Sequence, residues 1–314
     1  MNLLITGGAG FIGSNLCDFL LREGNKVVVI DNLSTGNLSN LSNSIDSIDF
    51  YQEDIESFDL TKFDNFDAVV HLAAQASVPL SVSNFKVSSI SNIVASINVI
   101  DYCSKEKIPL IYASSSAIYG SLELGDDNES EIDLLSPYGV DKYSMEMYAK
   151  ISHNLYQLSS IGLRFFNVYG PRQDPSSPYS GVISIFTDKL SRSESIIING
   201  GYQTRDFIYV DDVVKSIYKS IVISKNAVIC EQVNILTGAS ISIDLLADKL
   251  MKQMGSYVEK IYCDLPIDDP KVSNGTTIKM VNFLKLSLSE LTLLDTGLQK
   301  TINYIKRDKL EFKK

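Results

Sequence analysis

The stretch "NLLITGGAGFIG", residues 2–13, decides the fold. Its first half is a short apolar run, the pattern of a strand buried on both faces. Gly7, Gly10 and Gly13 follow at spacings of three, and Gly8 adds the Gly-x-Gly-x-x-Gly form. The residues from Phe11 to Glu23 then read as a helix. A strand, a glycine-rich turn and a helix in that order suit a pyrophosphate. The glycines permit a tight turn and close backbone approach, and the unsatisfied N–H groups of the helix start face the anion. The next apolar run, "KVVVI" at 26–30, ends on Asp31. A carboxylate there accepts hydrogen bonds from an adenosine ribose diol and repels an added 2′-phosphate, so NAD is the expected dinucleotide.

Outward from this unit the alternation continues. Strands are expected at "DAVVHLA" (67–73), "PLIYASS" (109–115) and "SSIGLRFF" (159–166), with helices near 83–106 and 138–158. The spacing predicts an α/β fold with a Rossmann-type, doubly wound parallel sheet over residues 1–166. After Phe166 the pattern changes. "NVYGPRQDPSSPYSG" reads as a long loop. Short strands ("SIIIN", "RDFIYV", "QVNIL") then mix with helices near 181–192, 211–223, 241–254 and 288–306. Residues 167–314 are therefore expected to form a smaller α/β substrate domain, some segments of which return to the first. The Ser/Asn-rich segment 33–47 reads as a surface loop between two sheet strands.

The chain of 314 residues is 45% hydrophobic and 21% charged, the composition of an ordinary globular protein. Its net charge of −10 argues against a nucleic-acid partner, which requires a basic face. No apolar run reaches membrane-spanning length and no signal peptide precedes "NLLIT", so a cytoplasmic location without a membrane partner is expected. Cys17, Cys103, Cys230 and Cys263 are scattered and read as buried, reduced thiols. With only His71 and His153 as histidines, no metal site is expected.

"SPYGVDK", residues 136–142, opens the helix near 138–158 and sets Tyr138 one turn from Lys142 on the same face. With "TGGAGFIG", "HLAAQASVP" (71–79), "SSSAIYG" (114–120), "LRFFNVYGPRQDP" (163–175) and "TRDFIYVDDV" (204–213) in order, the chain resembles the extended short-chain dehydrogenase/reductase family. Within that family it is most similar to the NAD-dependent nucleotide-sugar epimerases, to about residue 220.

The resemblance implies that Tyr138 is the acid/base and that Lys142 holds the nicotinamide ribose. An ammonium one turn away favours the phenolate of a tyrosine whose ordinary pKa is near 10. The catalytic hydroxyl aligns with Ser115, with Ser116 as the alternative. Cofactor contacts implied besides Gly7, Gly10, Gly13 and Asp31 are Phe11, Ile12, Asn32, Asp54, Ile55, Leu72, Ala73, Ala74 and Asn92. On the substrate side the resemblance implies Ser77, Ser116, Val182, and Asn167 and Arg205 on the diphosphate, with Ile198 and Gly200 near the uracil. Arg205 has the alternative of a surface ion pair with Asp206 or Asp211.

Related dehydratases carry an Asp-Glu pair after the catalytic hydroxyl, and decarboxylating relatives a glutamate. Here Ser116 and Ala117 cannot transfer a proton usefully, which disfavours dehydration. The expected activity is C4 epimerisation of a UDP-hexose (UDP-glucose/galactose, the N-acetylhexosamine pair, or both) through a 4-keto sugar, supplying surface polysaccharide. A UDP-uronate epimerase, a net oxidoreductase and a non-catalytic NAD-binding protein are the alternatives. Relatives carry a late Arg-x-Gly-Asp segment. In "PIDDPKVSNGT" (266–276) Pro266 takes the place of the arginine and Asp268 that of the glycine, with Lys271 a stand-in cation. Asp269 then aligns with the aspartate, and Ser273, four residues later, with a position that gates 2-acetamido sugars. The family also implies a homodimer paired through the helices 83–106 and 138–158.

Overall fold

In the computed structural model, which describes residues 1–311 other than 130, 176, 178, 179, 267 and 268 (backbone alone over 307–311), the opening run forms β1 (Asn2–Thr6). Then follow α1 (Phe11–Arg22), β2 (Lys26–Ile30), β3 (Asp49–Tyr51), β4 (Ala68–His71), α2 (Val78–Ser83), α3 (Phe85–Glu106), β5 (Leu110–Ser115), α4 (Pro137–Tyr156) and β6 (Ser160–Phe165). Alternate side chains of a strand point to opposite faces. Leu3, Ile5, Val27, Val29, Ala68 and Val70 accordingly enter one core with Leu16 and Leu20 of α1. Leu4, Val28, Ile30 and Val69 enter a second core with Ala95 and Val99 of α3. Helices cover both faces, so strands that read as continuously apolar serve two cores at once.

Beyond β6 lie β7 (Asn167–Tyr169), α5 (Val182–Ser191), β8 (Ile196–Asn199), β9 (Thr204–Tyr209), α6 (Val210–Asn226), β10 (Cys230–Ile235), β11 (Ser240–Ser242), α7 (Ile243–Met254), β12 (Lys260–Cys263), β13 (Val272–Ser273), α8 (Ile278–Asn282) and α9 (Leu294–Glu311). Among the described residues the main sheet is seven-stranded, in the order β10-β6-β5-β4-β1-β2-β3, and every pair in it is parallel. The chain winds outward from β1 to β3, then restarts at β4. The carboxyl ends of β1 and β4 therefore flank the switch point where such sheets bind ligands. A smaller sheet is built on β9, which pairs with β7, β11 and β13, and β8 pairs with β12.

Four expectations change in detail. The helix near 83–106 is two, α2 and α3, broken at Asn84. The start of the loop at 167–181 is β7, drawn into a strand by its pairing with β9. The last helix begins at Leu294, because Leu288–Glu290 closes as a separate 3-10 turn. Cys17 and Cys103 are buried as expected, but Cys230 is half-buried and Cys263 exposed. Cys263 ends a strand whose sheet has an open outer face.

Candidate active site

Gly7 adopts φ +74°, and a Cβ there would stand 2.6 Å from the backbone nitrogen of Ala73. On Gly13 a Cβ would lie 2.2 Å from the Gly7 carbonyl oxygen. Only bare backbone fits, which brings β1, α1 and the end of β4 together. Gly10 caps α1 without a side-chain hydrogen bond, so the first-turn N–H groups open toward the cavity. This cradle fits a pyrophosphate.

The cavity has a volume of about 1520 Å³, and its wall includes Gly7, Gly10, Phe11, Ile12 and Gly13. Leu72 and Ala74 join it from the end of β4. Asp31 stands behind the wall, buried, its Oδ2 accepting from Ala9 N (2.9 Å) and its Oδ1 from Leu33 N (2.8 Å). Burial pushes its carboxyl up against those two bonds, and lone pairs remain for a diol. Asn32, whose Nδ2 donates to Asp54 Oδ2 (3.3 Å), stands off the wall with Asp54, and Ile55 is buried in the second core. Ala73 gives its N–H to Thr6 Oγ1 at 3.3 Å.

At the end of β5, Ser115 Oγ accepts from Ala117 N (3.1 Å) and caps the 3-10 turn Ser116–Tyr119. Ser136 caps α4 through Gly139 N, Pro137 occupies its first position, and Tyr138 N–H donates to Ser81 Oγ at 3.1 Å. Lys142 Nζ donates to Ala113 O (2.8 Å) and lies 5.7 Å from the centre of the Tyr138 ring. Burial pushes the Tyr138 phenol up to about 12, a hydrogen bond from Ser115 pulls it down, and the Asp141 charge adds to the rise. Burial likewise pulls Lys142 down to about 8, opposed by Asp141. The expectation that Lys142 lowers Tyr138 is therefore corrected: among the protein's own groups desolvation outweighs the neighbouring ammonium. Of the two serines, Ser115 is bonded to Tyr138, and Ser116 lines the cavity beside it.

One turn further along α4, Glu146 accepts from Ser114 Oγ (2.5 Å) and from Arg164 Nε and Nη2 (2.9 and 2.7 Å). Arg164 passes on to Tyr119 OH at 2.7 Å. This buried network ties the ends of β5 and β6 to the helix face that carries Tyr138.

From the smaller sheet, Asn167 lines the cavity with its Nδ2 on Asp206 O (3.0 Å), and Val182 joins it at the start of α5. Arg205 Nη1 donates to Thr204 O (2.8 Å), and its Nη2 pairs with Asp269. That pairing corrects the expected partners. Asp206 is buried against Thr237 and Ala239, and Asp211 lies beside Lys300. Ser273 is opposite Arg205 in the β9–β13 register, and both Asp269 and Ser273 line the wall. Lys271 is exposed and off the wall, and Asp268 lies outside the described residues.

Other expected contacts sit elsewhere. Ile198 is wholly buried in the core, and its neighbour Asn199 lines the cavity instead. Gly200 stands off the wall, turned at φ +66°. Ser77 caps α2 through Leu80 N, and Asn92 holds Gln75 through both its backbone groups. Sequence reasoning missed the loop after Asp31: Thr35, Asn37 and Asn40 line the cavity, with Asn40 Nδ2 on Ala9 O at 2.9 Å. Its Ser/Asn richness immediately after the ribose-binding position was the available signal. Arg172, ion-paired with Asp18 at 2.5 Å, and Tyr304 of α9 were missed as well.

The family model for the NAD dependent epimerase/dehydratase family matches residues 3–235. A putative UDP-glucose 4-epimerase of Methanocaldococcus jannaschii is 38% identical, covering 98% of this chain and 99% of its own length. Two solved structures align with TM-scores of 0.90. One is the UDP-glucose 4-epimerase of Thermotoga maritima with UDP-glucose, 34% identical, with 98% of this chain and 99% of that one covered. The other is the UDP-N-acetylglucosamine 4-epimerase of Methanobrevibacter ruminantium M1 with UDP-N-acetylmuramic acid, 36% identical over 98% of each chain.

Proposed function

Because the chain belongs to the NAD dependent epimerase/dehydratase family, we propose that it is an isomerase that inverts C4 of a neutral UDP-hexose. The observation that carries this reading is the buried Tyr138–Ser115 pair, one helical turn from Lys142, in one cavity with a bare glycine cradle and Arg205. NAD, when bound, supplies a reversible hydride acceptor. Tyr138 takes the proton of the sugar 4-OH, Ser115 relays and orients it, and Lys142 holds the ribose beside the phenolate. The sugar, oxidised to the 4-keto form, turns about its diphosphate linkage and receives the hydride on its other face, with the proton returned by Tyr138. Asn167 and Arg205 grip the diphosphate so that the nucleotide stays while the sugar turns. Ser116 and Ala117, next to Ser115, offer no second acid or base, which favours epimerisation over dehydration.

A uronate would bring a further carboxylate. Among the described residues the cationic side chains of the wall are Lys142, Arg172 and Arg205, held by Ala113 O, Asp18 and Asp269. That commitment favours a neutral sugar. Ser273 is small, and room beside Arg205 suits a 2-acetamido group as well as a hydroxyl. Incubation with UDP-glucose, UDP-N-acetylglucosamine and UDP-glucuronate, with products read by NMR, tests the reading. Inversion of the first two is expected. Net accumulation of NADH, or inversion of the uronate alone, overturns it.

The protein is further proposed to work as a homodimer. Val87, Ile90, Val94 and Ile97 of α3 are exposed, as are Met147, Tyr148, Ile151 and Leu155 of α4. Their spacings of three and four place them in stripes on adjacent helices, an apolar face suited to a second copy.

A further inference from the structure

The residue between Tyr138 and Lys142 on the catalytic helix that the mechanism leaves unused is Asp141, which is 3% exposed. It lies three positions after Tyr138 and one before Lys142, so the tyrosine has an acid and a base on its own face. We propose that Asp141 is the counter-ion that keeps Lys142 charged and sets the pH range in which Tyr138 works, a positioning residue acting through those two. This rests on the reading of Tyr138 and Lys142 given above.

Lys142 is 5% exposed and its hydrogen bond goes to a neutral carbonyl, Ala113 O. An ammonium buried against neutral groups sheds its proton unless an anion stands near. Asp141 is that anion. Its Oδ2 accepts from Asn92 Nδ2 at 3.1 Å, and the same nitrogen also serves Gln75 O. An amide at 141 would satisfy Asn92 equally well; only a carboxylate brings charge. The other surroundings supply none. α3 presents Asn92, Ser88 and Ser96, α2 presents Ser81, and β5 ends in Ala113, Ser114 and Ser115. His71, at the end of β4, is held to about 3 by burial and by the Lys142 charge, and so is neutral. Glu146, on the same helix, is engaged by Arg164 from β6. Removing the Asp141 charge lowers the pKa of both partners, because a negative neighbour raises a phenol and an ammonium alike.

The test is the pH profile of kcat/KM for Asp141→Asn, which keeps the acceptor for Asn92. Both limbs are expected to move to lower pH by about 0.5 unit or more. A lower kcat with both limbs unmoved overturns the proposal, since a structural role would weaken turnover without retuning it. Asp141→Ser is read by the same criterion if the asparagine variant does not fold. Tyr138→Phe is assayed in parallel. If it stays active, the assignment of Tyr138 itself fails. If it is inactive and the Asp141→Asn limbs are unmoved, only the role of Asp141 fails.

Discussion

At the scale of single residues, chemistry and shape separate cleanly. Tyr138→Phe removes a transferable proton and a phenolic oxygen but keeps the ring that packs under Lys142. Turnover is expected to fall by about 10³-fold or more, with the bound NAD measured after denaturation unchanged. Activity within tenfold of wild type would remove Tyr138 from the mechanism. Ser273→Tyr tests shape instead. A bulky ring opposite Arg205 in the β9–β13 register should suppress UDP-N-acetylglucosamine turnover and spare UDP-glucose, by exclusion rather than by a lost contact. An unchanged ratio of the two activities would show that the side chain does not border the sugar.

At the scale of elements, the helix that carries Tyr138 is held to the sheet by a buried ion pair. Glu146 and Arg164 have side chains 1% and 7% exposed, and Ser114 and Arg164 are paired in the β5–β6 register. Glu146→Ala leaves a guanidinium buried without its anion. It should cost about 3–5 kcal/mol of stability, read by urea unfolding. A loss below 1 kcal/mol would mean that water or Tyr119 replaces the carboxylate. The motif "SPYGVDK" shows the pair of residues on one helix face, but nothing within it shows that Ser81, 57 residues earlier, takes the Tyr138 N–H. That contact needs α2 to be folded against the start of α4.

At the scale of the whole molecule, two features await measurement. The exposed stripes on α3 and α4 should bury each other in a dimer. Ile151→Asp combined with Leu155→Asp should then give a monomer by light scattering, because each charge would be desolvated at the centre of the interface. A wild-type monomer would refute the pairing. The clasp of Arg172 on Asp18, with Asn15 Nδ2 on Pro171 O at 3.1 Å, binds the loop after β7 to α1. Opening it with Asp18→Ala should loosen retention of NAD, seen as less cofactor surviving gel filtration.

By itself the sequence determines what is written in contiguous residues: the two-faced strands, the glycine turn and its helix, Asp31 at a strand end, and the Tyr138–Lys142 spacing. Each follows from local periodicity or a local steric requirement, so each is legible without knowing what packs beside it. Tertiary structure alone decides what distant segments do to one another. It sets Asp269 on Arg205 across 64 residues, and it turns the Ser/Asn-rich loop after Asp31 from open surface into cavity wall. It returns β10 to the edge of the first sheet beside β6. It also raises Tyr138 by burial where the nearby lysine alone predicts the reverse. The reason is common to all four. Burial and long-range pairing arise only when the crossover connections close, and desolvation in the closed core outweighs what a single helical turn can encode.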